Sequence, residues 1–268
     1  MTRIGHLFET LKADGRKGLI AYLTAGDPSP DKTPALVEAL VRGGADLIEL
    51  GVPFSDPIAD GPVVQQGGER ALKAGTTLKR VLQIAAEIRS RSAVPLLLFT
   101  YLNPVMRYGL ERLAEDAAKC GIDGCLLTDA SVEEAHEYIG AMHRHGLDTV
   151  FLAAPTSNER RLRLVAQYST GFVYLVSRTG VTGERATLSN QVAPLIQAIR
   201  SVTDLPLAVG FGVSTPAHVA ELGRQVEAVV VGSAIVRLIG EYGSDPSLER
   251  RLESFARELK GGFQGAHA

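Results

Sequence analysis

The chain lacks tryptophan, contains only two cysteines and carries almost no net charge. Cys120 and Cys125 are not spaced as C-x-x-C, and no second cysteine pair or histidine cluster completes a zinc site, so neither a disulfide framework nor a metal site is expected. The sequence therefore predicts two inert thiols in a reducing compartment. A formal charge of −2 over 268 residues gives no electrostatic reason to expect nucleic acid or an anionic membrane as a partner.

Long hydrophobic runs are missing as well. The longest, such as residues 93–99, are far shorter than the ~20 residues that span a bilayer. The first six residues lack the apolar run of a signal peptide. No P-loop, serine-hydrolase or zinc-protease motif is present, and residues 210–212 (Gly-Phe-Gly) lack the third glycine of a dinucleotide fingerprint. A soluble cytoplasmic protein is the expectation.

What the sequence does have is a regular alternation of short apolar runs with amphipathic segments of helical period. Continuous apolar runs are typical of strands in a parallel sheet that is covered on both faces. Eight strands are predicted, at residues 18–23, 46–50, 95–101, 124–128, 148–152, 172–176, 206–209 and 228–231. Helices are predicted at residues 78–91, 110–120, 159–168, 188–200, 216–223, 233–239 and 248–259, with others beginning near residues 4, 33 and 131.

Eight strand–helix units in a chain of this length predict an α/β fold. We expect a single-domain (β/α)8 TIM barrel over residues 1–268, with an extra N-terminal helix and a short phosphate-binding helix after strand 8. A doubly wound sheet is the alternative. Two helix starts carry capping signals, Thr33 before Pro34, and Ser131 with Glu134 as a capping box. In a barrel, functional residues gather where the strands end, so the residues after each strand are the candidates.

One carboxylate breaks the pattern of the second strand. Alternation places Glu49 on the face of Leu47 and Gly51, opposite the face of Ile48 and Leu50 that suits the helix layer. Glu49 would then point into the barrel, where an unpaired charge costs several kcal/mol unless the group is paired or protonated. A partnered core glutamate, or a shifted register that leaves it in solvent, is the alternative.

The segment after this strand is rich in proline and glycine. Residues 51–62 contain three prolines and two glycines, which predicts a stiff, irregular loop that holds Asp56 and Asp60 above Glu49. Two carboxylates in different environments suit general acid and base catalysis, because their pKa values can be pushed apart. Turn formation alone is the other explanation for each aspartate.

Glycines follow the last three strands. They occur in residues 177–183, at Gly210 and Gly212, and at Gly232 before Ser233. Glycine lets backbone N–H groups approach a ligand, and the start of a helix attracts anions. Barrels often hold phosphate at this place, so a phosphorylated substrate is predicted. Aromatic residues near strand ends could line a slot or simply pack in the core; they are Tyr22, Tyr101, Phe151 and Tyr174.

The segment Leu47-Ile-Glu-Leu-Gly-Val-Pro-Phe-Ser-Asp-Pro-Ile-Ala-Asp-Gly-Pro62 resembles the signature of the tryptophan synthase alpha subunit family. The resemblance extends, in family order, over residues 21–28, 101–104, 177–183, 210–212 and 232–236. It implies a barrel enzyme that cleaves indole-3-glycerol phosphate to indole and glyceraldehyde 3-phosphate. It also implies an alpha2-beta2 assembly with a beta subunit, which would hold pyridoxal phosphate, so that this chain needs no cofactor of its own.

The resemblance also implies roles for individual residues. Glu49 matches the family's general acid and base, Asp60 its second catalytic carboxylate, and Tyr174 an active-site tyrosine. The phosphate cradle would comprise Gly183, Gly212, Gly232 and Ser233. Pocket and lid positions are matched by Tyr22, Tyr101, Thr182 and Phe211. Residues 178–187 are expected to form a mobile lid, with Thr182 approaching Asp60.

One position departs from the family pattern. Ser131 stands where relatives usually carry proline, in a loop that faces the partner in the family, so weaker association with the partner is expected. Three other functions stay open at this point. They are a free-standing indole-3-glycerol-phosphate lyase, a non-catalytic subunit that activates its partner, and a different phosphate-binding barrel enzyme such as a sugar-phosphate isomerase.

Overall fold

Parallel strands curl into a barrel in the computed structural model, which describes residues 2–176, 188–210 and 212–267. The strands are β1 (Gly18–Thr24), β2 (Leu47–Gly51), β3 (Leu96–Thr100), β4 (Gly124–Leu127), β5 (Asp148–Thr149), β6 (Leu152–Ala153), β7 (Val173–Val176), β8 (Leu207–Gly210) and β9 (Ala228–Val231). Their order in the sheet is β5-β4-β3-β2-β1-β9-β8-β7-β6. The (β/α)8 barrel is thereby confirmed, and the doubly wound alternative is wrong.

The ring closes through one segment, residues 148–153, whose two halves are β5 and β6. The first half bonds to β4, and the N–H of Val150 donates to the carbonyl of Cys125 at 3.2 Å. The second half bonds to β7, and the N–H of Tyr174 donates to the carbonyl of Phe151 at 3.2 Å. The predicted fifth strand is therefore in the right place but is split in two. Its first residues bond to β4, and its last residues bond to β7.

Helices surround the barrel. They are α1 (Arg3–Ala13), α2 (Thr33–Arg42), α3 (Pro62–Lys73), α4 (Leu78–Arg89), α5 (Leu102–Tyr108), α6 (Leu110–Lys119), α7 (His136–Arg144), α8 (Glu159–Tyr168), α9 (Leu188–Arg200), α10 (Pro216–Gly223), α11 (Ser233–Tyr242) and α12 (Leu248–Gly261). Short 3₁₀ turns occupy Val132–Glu134 and Gly262–His267. Within the described ranges, no helix is long and apolar enough to cross a membrane. The predicted bounds of α8, α9 and α10 are confirmed.

The sequence analysis missed two helices, α3 and α5. Residues 62–73 carry a weak helical signal, because Gly67 and Gly68 lie in the middle of α3 and glycine disfavours a helix by about 1 kcal/mol. Packing explains the first of these glycines. A Cβ at Gly67 would lie 2.7 Å from Cγ1 of Val236, so α3 and α11 approach each other too closely for a side chain there. Pro62 begins α3, as its fixed φ favours.

Neither predicted side-chain cap forms, although α2 does begin at Thr33 with Pro34 in its first turn. Thr33 is the first helical residue of α2 rather than its cap, and its hydroxyl accepts a hydrogen bond from the N–H of Gly26 at 2.9 Å, which fixes the loop after β1. Ser131 makes no side-chain cap, because its hydroxyl donates to the carboxylate of Glu133. A 3₁₀ turn follows it, and α7 begins only at His136.

Alternation along the strands divides the apolar residues into two clusters. Ile48 and Leu50 belong to the outer cluster between sheet and helices, whereas Leu47 belongs to the cluster inside the barrel. The interior cluster is completed from below by α1, whose Phe8 ring lies 5.5 Å from that of Phe172. Because α1 packs against the N-terminal ends of the strands, the interior opens toward their carboxyl ends.

Candidate active site

The carboxyl group of Glu49 is buried inside the barrel, where no described residue pairs with it. It lies on β2 between Tyr22 of β1 and Leu97 of β3, and its exposed fraction is 0%. Among the described residues, neither oxygen of its carboxyl group has a hydrogen-bond partner. Burial raises the pKa of Glu49 to about 8, because a low-dielectric surrounding disfavours the charged form. The inward orientation is confirmed, and the alternatives of a partnered or solvated glutamate are wrong.

A cavity of about 470 Å³ opens above Glu49 at the carboxyl ends of the strands. Seven of the predicted site residues line it: Tyr22, Glu49, Asp60, Tyr174, Gly212, Gly232 and Ser233. Its other walls come from Phe99, Val213, Val230 and Arg237, and from residues 59 and 61–64 of the loop and the start of α3. Three predicted residues, Thr182, Gly183 and Phe211, lie outside the described residues, as does the predicted lid over 178–187.

The loop after β2 holds Asp60 at the edge of the cavity. The amide of Gln65 donates to the carbonyl of Asp60 at 2.9 Å, and the N–H of Ala59 donates to the Tyr101 hydroxyl at 3.2 Å. Tyr101 is therefore a support behind this loop; it is not among the residues that line the cavity. Burial raises the pKa of Asp60 to about 6, although hydrogen bonding to Tyr101 opposes the shift.

The two carboxyl groups thus differ in their charge at neutral pH. Glu49, with a pKa of about 8, is mostly protonated, whereas Asp60, with a pKa of about 6, is mostly ionised. Pairs of titratable groups whose surroundings push their pKa values apart are typical of acid and base catalysis. One cavity therefore offers a proton donor and a negative charge.

Two buried tyrosines flank Glu49. Burial raises the pKa of Tyr22 and of Tyr174, so both phenols stay neutral. Each ring lies over a glycine of the neighbouring strand: a Cβ at Gly51 would lie 2.6 Å from Cζ of Tyr22, and one at Gly210 would lie 2.7 Å from Cζ of Tyr174. Packing against Tyr174 therefore explains why residue 210 is glycine, without any need for a bound anion.

Three residues of the predicted cradle meet at one side of the cavity. Gly212 has a φ of +77°, which favours glycine, and Gly232 leads into α11, a helix of ten residues that begins at Ser233. The start of such a helix presents unpaired N–H groups and attracts anions. A Cβ at Gly232 would make ordinary contact with Tyr22 at 3.4 Å, so the protein itself does not crowd that position.

Sequence reasoning missed Arg237, which lines the same side of the cavity. It follows Ser233 by four residues on α11, so both residues lie on one face of that helix. Most arginines of the chain form ion pairs, but Arg237 is an exposed cation for which the described residues supply no ion-pair partner. In the sequence, the only sign of this role is that Arg237 lies four residues after Ser233, on the same face of a helix.

Metal-ligating side chains and thiols are the other groups of the chain that could carry chemistry. The described residues contain no group of three or more His, Cys, Asp or Glu side chains that could hold a metal ion. Cys120 and Cys125 are free thiols rather than a disulfide. Burial raises the pKa of Cys125 to about 12, so this thiol is unreactive.

Glu49 should make the stability of the protein depend on pH. With a pKa of about 8 in the folded state and the ordinary 4.5 when unfolded, its protonated form adds stability that is fully present below pH 4.5. That contribution is lost as the pH rises from 4.5 to about 8, at a rate of up to about 1.4 kcal/mol per pH unit. Glu49→Gln cannot ionise, so its stability relative to the unmodified chain should rise across this range.

Urea unfolding of both proteins between pH 5 and pH 8 measures this difference directly. Since the two chains share every other titratable group, the difference isolates Glu49. A difference that is the same at all pH values would contradict a buried, partnerless carboxyl group.

Comparisons with known proteins agree with this geometry. Residues 8–264 match the family model described as "Tryptophan synthase alpha chain". The chain is 76% identical to the tryptophan synthase alpha chain of Solibacter usitatus over the full length of both, and 47% identical to that of Geotalea uraniireducens over 98% of both. It superposes on the tryptophan synthase subunit alpha of Legionella pneumophila with a TM-score of 0.89 and 33% identity over 99% of both chains. The chain therefore belongs to the tryptophan synthase alpha chain family, the carbon–carbon lyases that cleave indole-3-glycerol phosphate.

Proposed function

We propose that the cavity around Glu49 and Asp60 is where this chain cleaves indole-3-glycerol phosphate to indole and glyceraldehyde 3-phosphate. The observation that carries the proposal is a fully buried glutamate without a partner, with a pKa of about 8, in one cavity with an ionised aspartate. Family membership argues against a sugar-phosphate isomerase, and the complete carboxyl pair argues against a non-catalytic subunit.

The reaction is a retro-aldol cleavage with no net change in protons. Carbon 3 of the indole ring must gain a proton, and the hydroxyl next to it on the side chain must lose one. As the bond between carbon 3 and the carbon that carries this hydroxyl breaks, its electrons return to the ring and the side chain leaves as an aldehyde. We propose that Glu49 donates the first proton and receives the second, so that it ends as it began. A pKa near the working pH suits a group with both tasks.

Asp60 has a different task in this proposal. Protonation of carbon 3 places positive charge on the ring nitrogen, and an ionised carboxylate at the cavity edge stabilises the N–H that carries it. The apolar side chains of Phe99 and Val230 supply walls for the ring, and the neutral phenols of Tyr22 and Tyr174 complete them.

The substrate phosphate belongs at the start of α11. Gly212, Gly232 and Ser233 line that side of the cavity, and N–H groups at a helix start bind phosphate without further charge. We propose Gly183 as the fourth cradle residue, with Phe211 at the pocket wall and Thr182 in a lid over 178–187. Anchoring the phosphate leaves the indole end to be oriented against the two carboxyl groups.

Glu49→Gln should abolish most of the turnover. The substitution keeps the shape of the side chain and removes its proton transfer, which contributes typically 10²- to 10⁴-fold to the rate. We expect kcat for indole release to fall by at least about 10²-fold while KM changes little. Asp148→Asn is the matched control, because Asp148 is a buried carboxyl with a raised pKa that lies outside the cavity. A Glu49→Gln enzyme that kept most of its activity would falsify the assignment.

Arg237→Gln should weaken substrate binding. Removing an exposed cation from the phosphate side of the cavity should raise KM roughly three- to tenfold, with less effect at high salt, where exposed charges are screened. Arg224→Gln provides the control, since Arg224 is also an exposed arginine but follows α10 and does not line the cavity. Equal KM values for the two variants would exclude a role for Arg237 in binding.

We further propose a beta subunit as partner, in an alpha2-beta2 assembly in the cytoplasm, with pyridoxal phosphate held by the beta chain. Large apolar side chains are exposed around the cavity mouth: Ile58 at 84%, Met106 at 61% and Leu102 at 37%. The N–H of Leu102 donates to Asp129 at 2.7 Å, which joins the loops after β3 and β4 into one surface. Asp56, residues 103–104 and residues 129–131 would lie in the same contact.

Ser131 fits this surface without strain. Its φ of −71° is one that proline also adopts. Proline could therefore adopt the backbone φ seen here, whereas serine leaves the unfolded and unbound states of the loop less restricted and adds a hydrogen bond to Glu133. Association weaker than in relatives with proline at this position is what we expect, and Ser131→Pro should tighten it.

Leu102→Asp should weaken association with the beta subunit, because it places a charge in the apolar part of the contact. Leu72→Asp is the matched control, since Leu72 is 38% exposed but lies at the far end of α3 from the mouth. Sedimentation of each variant with the beta subunit measures the effect. If the unmodified chain forms no complex and its indole release does not rise when the beta subunit is added, the free-standing lyase is the correct alternative.

A further inference from the structure

An ion pair between a buried aspartate and a partly exposed arginine lies beside the site without lining the cavity. Asp27, in the loop after β1, is fully buried, and Arg70 of α3 donates to both of its carboxylate oxygens, from Nε to Oδ1 at 2.8 Å and from Nη2 to Oδ2 at 2.7 Å. Burial raises the pKa of Asp27, and the bonds to Arg70 oppose the shift. Because two parallel hydrogen bonds fix direction as well as distance, the guanidinium group is held in one orientation.

The same guanidinium lies against α11, the helix whose start forms the anion side of the cavity. A Cβ at Gly240 would lie 3.0 Å from Nη1 of Arg70, and Nη2 lies 3.4 Å from the carbonyl oxygen of Val236. A Cβ at Gly67 would likewise lie 3.2 Å from the carboxylate of Asp27. Arg70 therefore stands where the loop after β1, α3 and α11 meet at close range.

The other end of α3 holds the loop that carries Asp60. Pro62 begins the helix two residues after Asp60, and Gln65 donates from its amide to the carbonyl of Asp60 at 2.9 Å. Gln65 and Arg70 are five residues apart on one helix, which is a rigid connection. A fixed chain of contacts thus runs from Asp27 through Arg70 and α3 to Asp60.

We infer that Asp27 and Arg70 are positioning residues, which set the distance between Asp60 and the start of α11. The inference rests on the proposed function, because these two places would hold opposite ends of one substrate. Stability alone gives little reason for the pair, since Asp27 is fully buried while the Arg70 side chain is 33% exposed, and the cost of burying a charge can exceed what its ion pair returns. Fixed geometry is what a bidentate pair adds, and misplacement of a reacting group by a small distance lowers the rate strongly.

The test compares Arg70→Lys with Arg89→Lys. Lysine keeps the charge in each case and loses the fork of donors. Arg89 pairs with the buried Asp123 at 2.9 Å, but it does so at the N-terminal ends of β3 and β4, the opposite end of the barrel from the cavity. Both variants should therefore lose thermal stability, whereas only Arg70→Lys should lower kcat for indole release by tenfold or more. Arg89→Lys should stay within twofold of the unmodified chain.

Hydrogen exchange gives a readout that does not depend on activity. Arg70→Lys should speed amide exchange in residues 57–66 and 232–237 together, and Arg89→Lys should leave both segments unchanged. Equal losses of kcat in the two variants, or unchanged exchange in these segments, would overturn the inference. An unmodified chain that releases no indole would instead refute the proposed function, and exchange alone would then decide the positioning role.

Gln65→Met serves if Arg70→Lys fails to fold. The variant keeps the length of the side chain and removes the bonds to Asp60 and Pro57. It should lower kcat as Arg70→Lys does, because both release the same loop. When both substitutions are combined in a folded protein, the fold-decrease in kcat should be smaller than the product of the two single fold-decreases. Retention of full activity by Gln65→Met would break the proposed chain of contacts.

Discussion

The chemistry proposed for this barrel depends on one buried group without a hydrogen-bond partner among the described residues, the carboxyl of Glu49. A charged carboxylate in an apolar interior costs several kcal/mol, so the group stays protonated up to a pKa of about 8. The apolar interior that causes this is built by the inner faces of the strands and closed from below by α1, whose Phe8 packs on Phe172. A packing arrangement at one end of the barrel thereby sets the acidity of a group near the other.

The position of Asp60 gives it a lower pKa than that of Glu49. It sits on a loop at the edge of the cavity, half-buried, with Tyr101 behind the loop, and its pKa of about 6 leaves it ionised at neutral pH. The barrel brings this loop over the end of β2 because α3 packs closely on α11. Two carboxyl groups eleven residues apart in the chain therefore differ in charge because Glu49 is fully buried without a partner, whereas Asp60 is less buried and hydrogen-bonded to Tyr101.

Features that follow from local pattern could be read from the sequence. Period-two alternation in β2 placed Glu49 inside the barrel, and helical periodicity gave the bounds of α8, α9 and α10. Features that depend on contacts between distant segments could not. Gly67 disfavours a helix locally and is explained only by the approach of α11. The hydroxyl of Thr33 accepts from the N–H of Gly26 instead of capping α2.

The residues of the candidate site likewise fall into those that the sequence reveals and those that only the fold reveals. Its carboxyl groups and glycines carry recognisable motifs, whereas Arg237 enters the cavity only through its place on the face of α11, and Tyr101 supports the Asp60 loop from behind instead of lining the cavity. The packing of Tyr22 over Gly51 and of Tyr174 over Gly210 is likewise a product of strand register, which pairs Thr24 with Gly51 and Val176 with Gly210. Register cannot be read from one strand alone.

The most direct test of this account is a titration of Glu49 itself. Carbon-13 NMR of side-chain carboxyl groups in glutamate-labelled protein, with the Glu49 signal assigned by its absence in Glu49→Gln, reports the pKa of this residue without reference to substrate or partner. A midpoint near pH 8 is expected for Glu49. A midpoint near the ordinary 4.5 would show that the carboxyl group is solvated or paired, and would contradict the central claim.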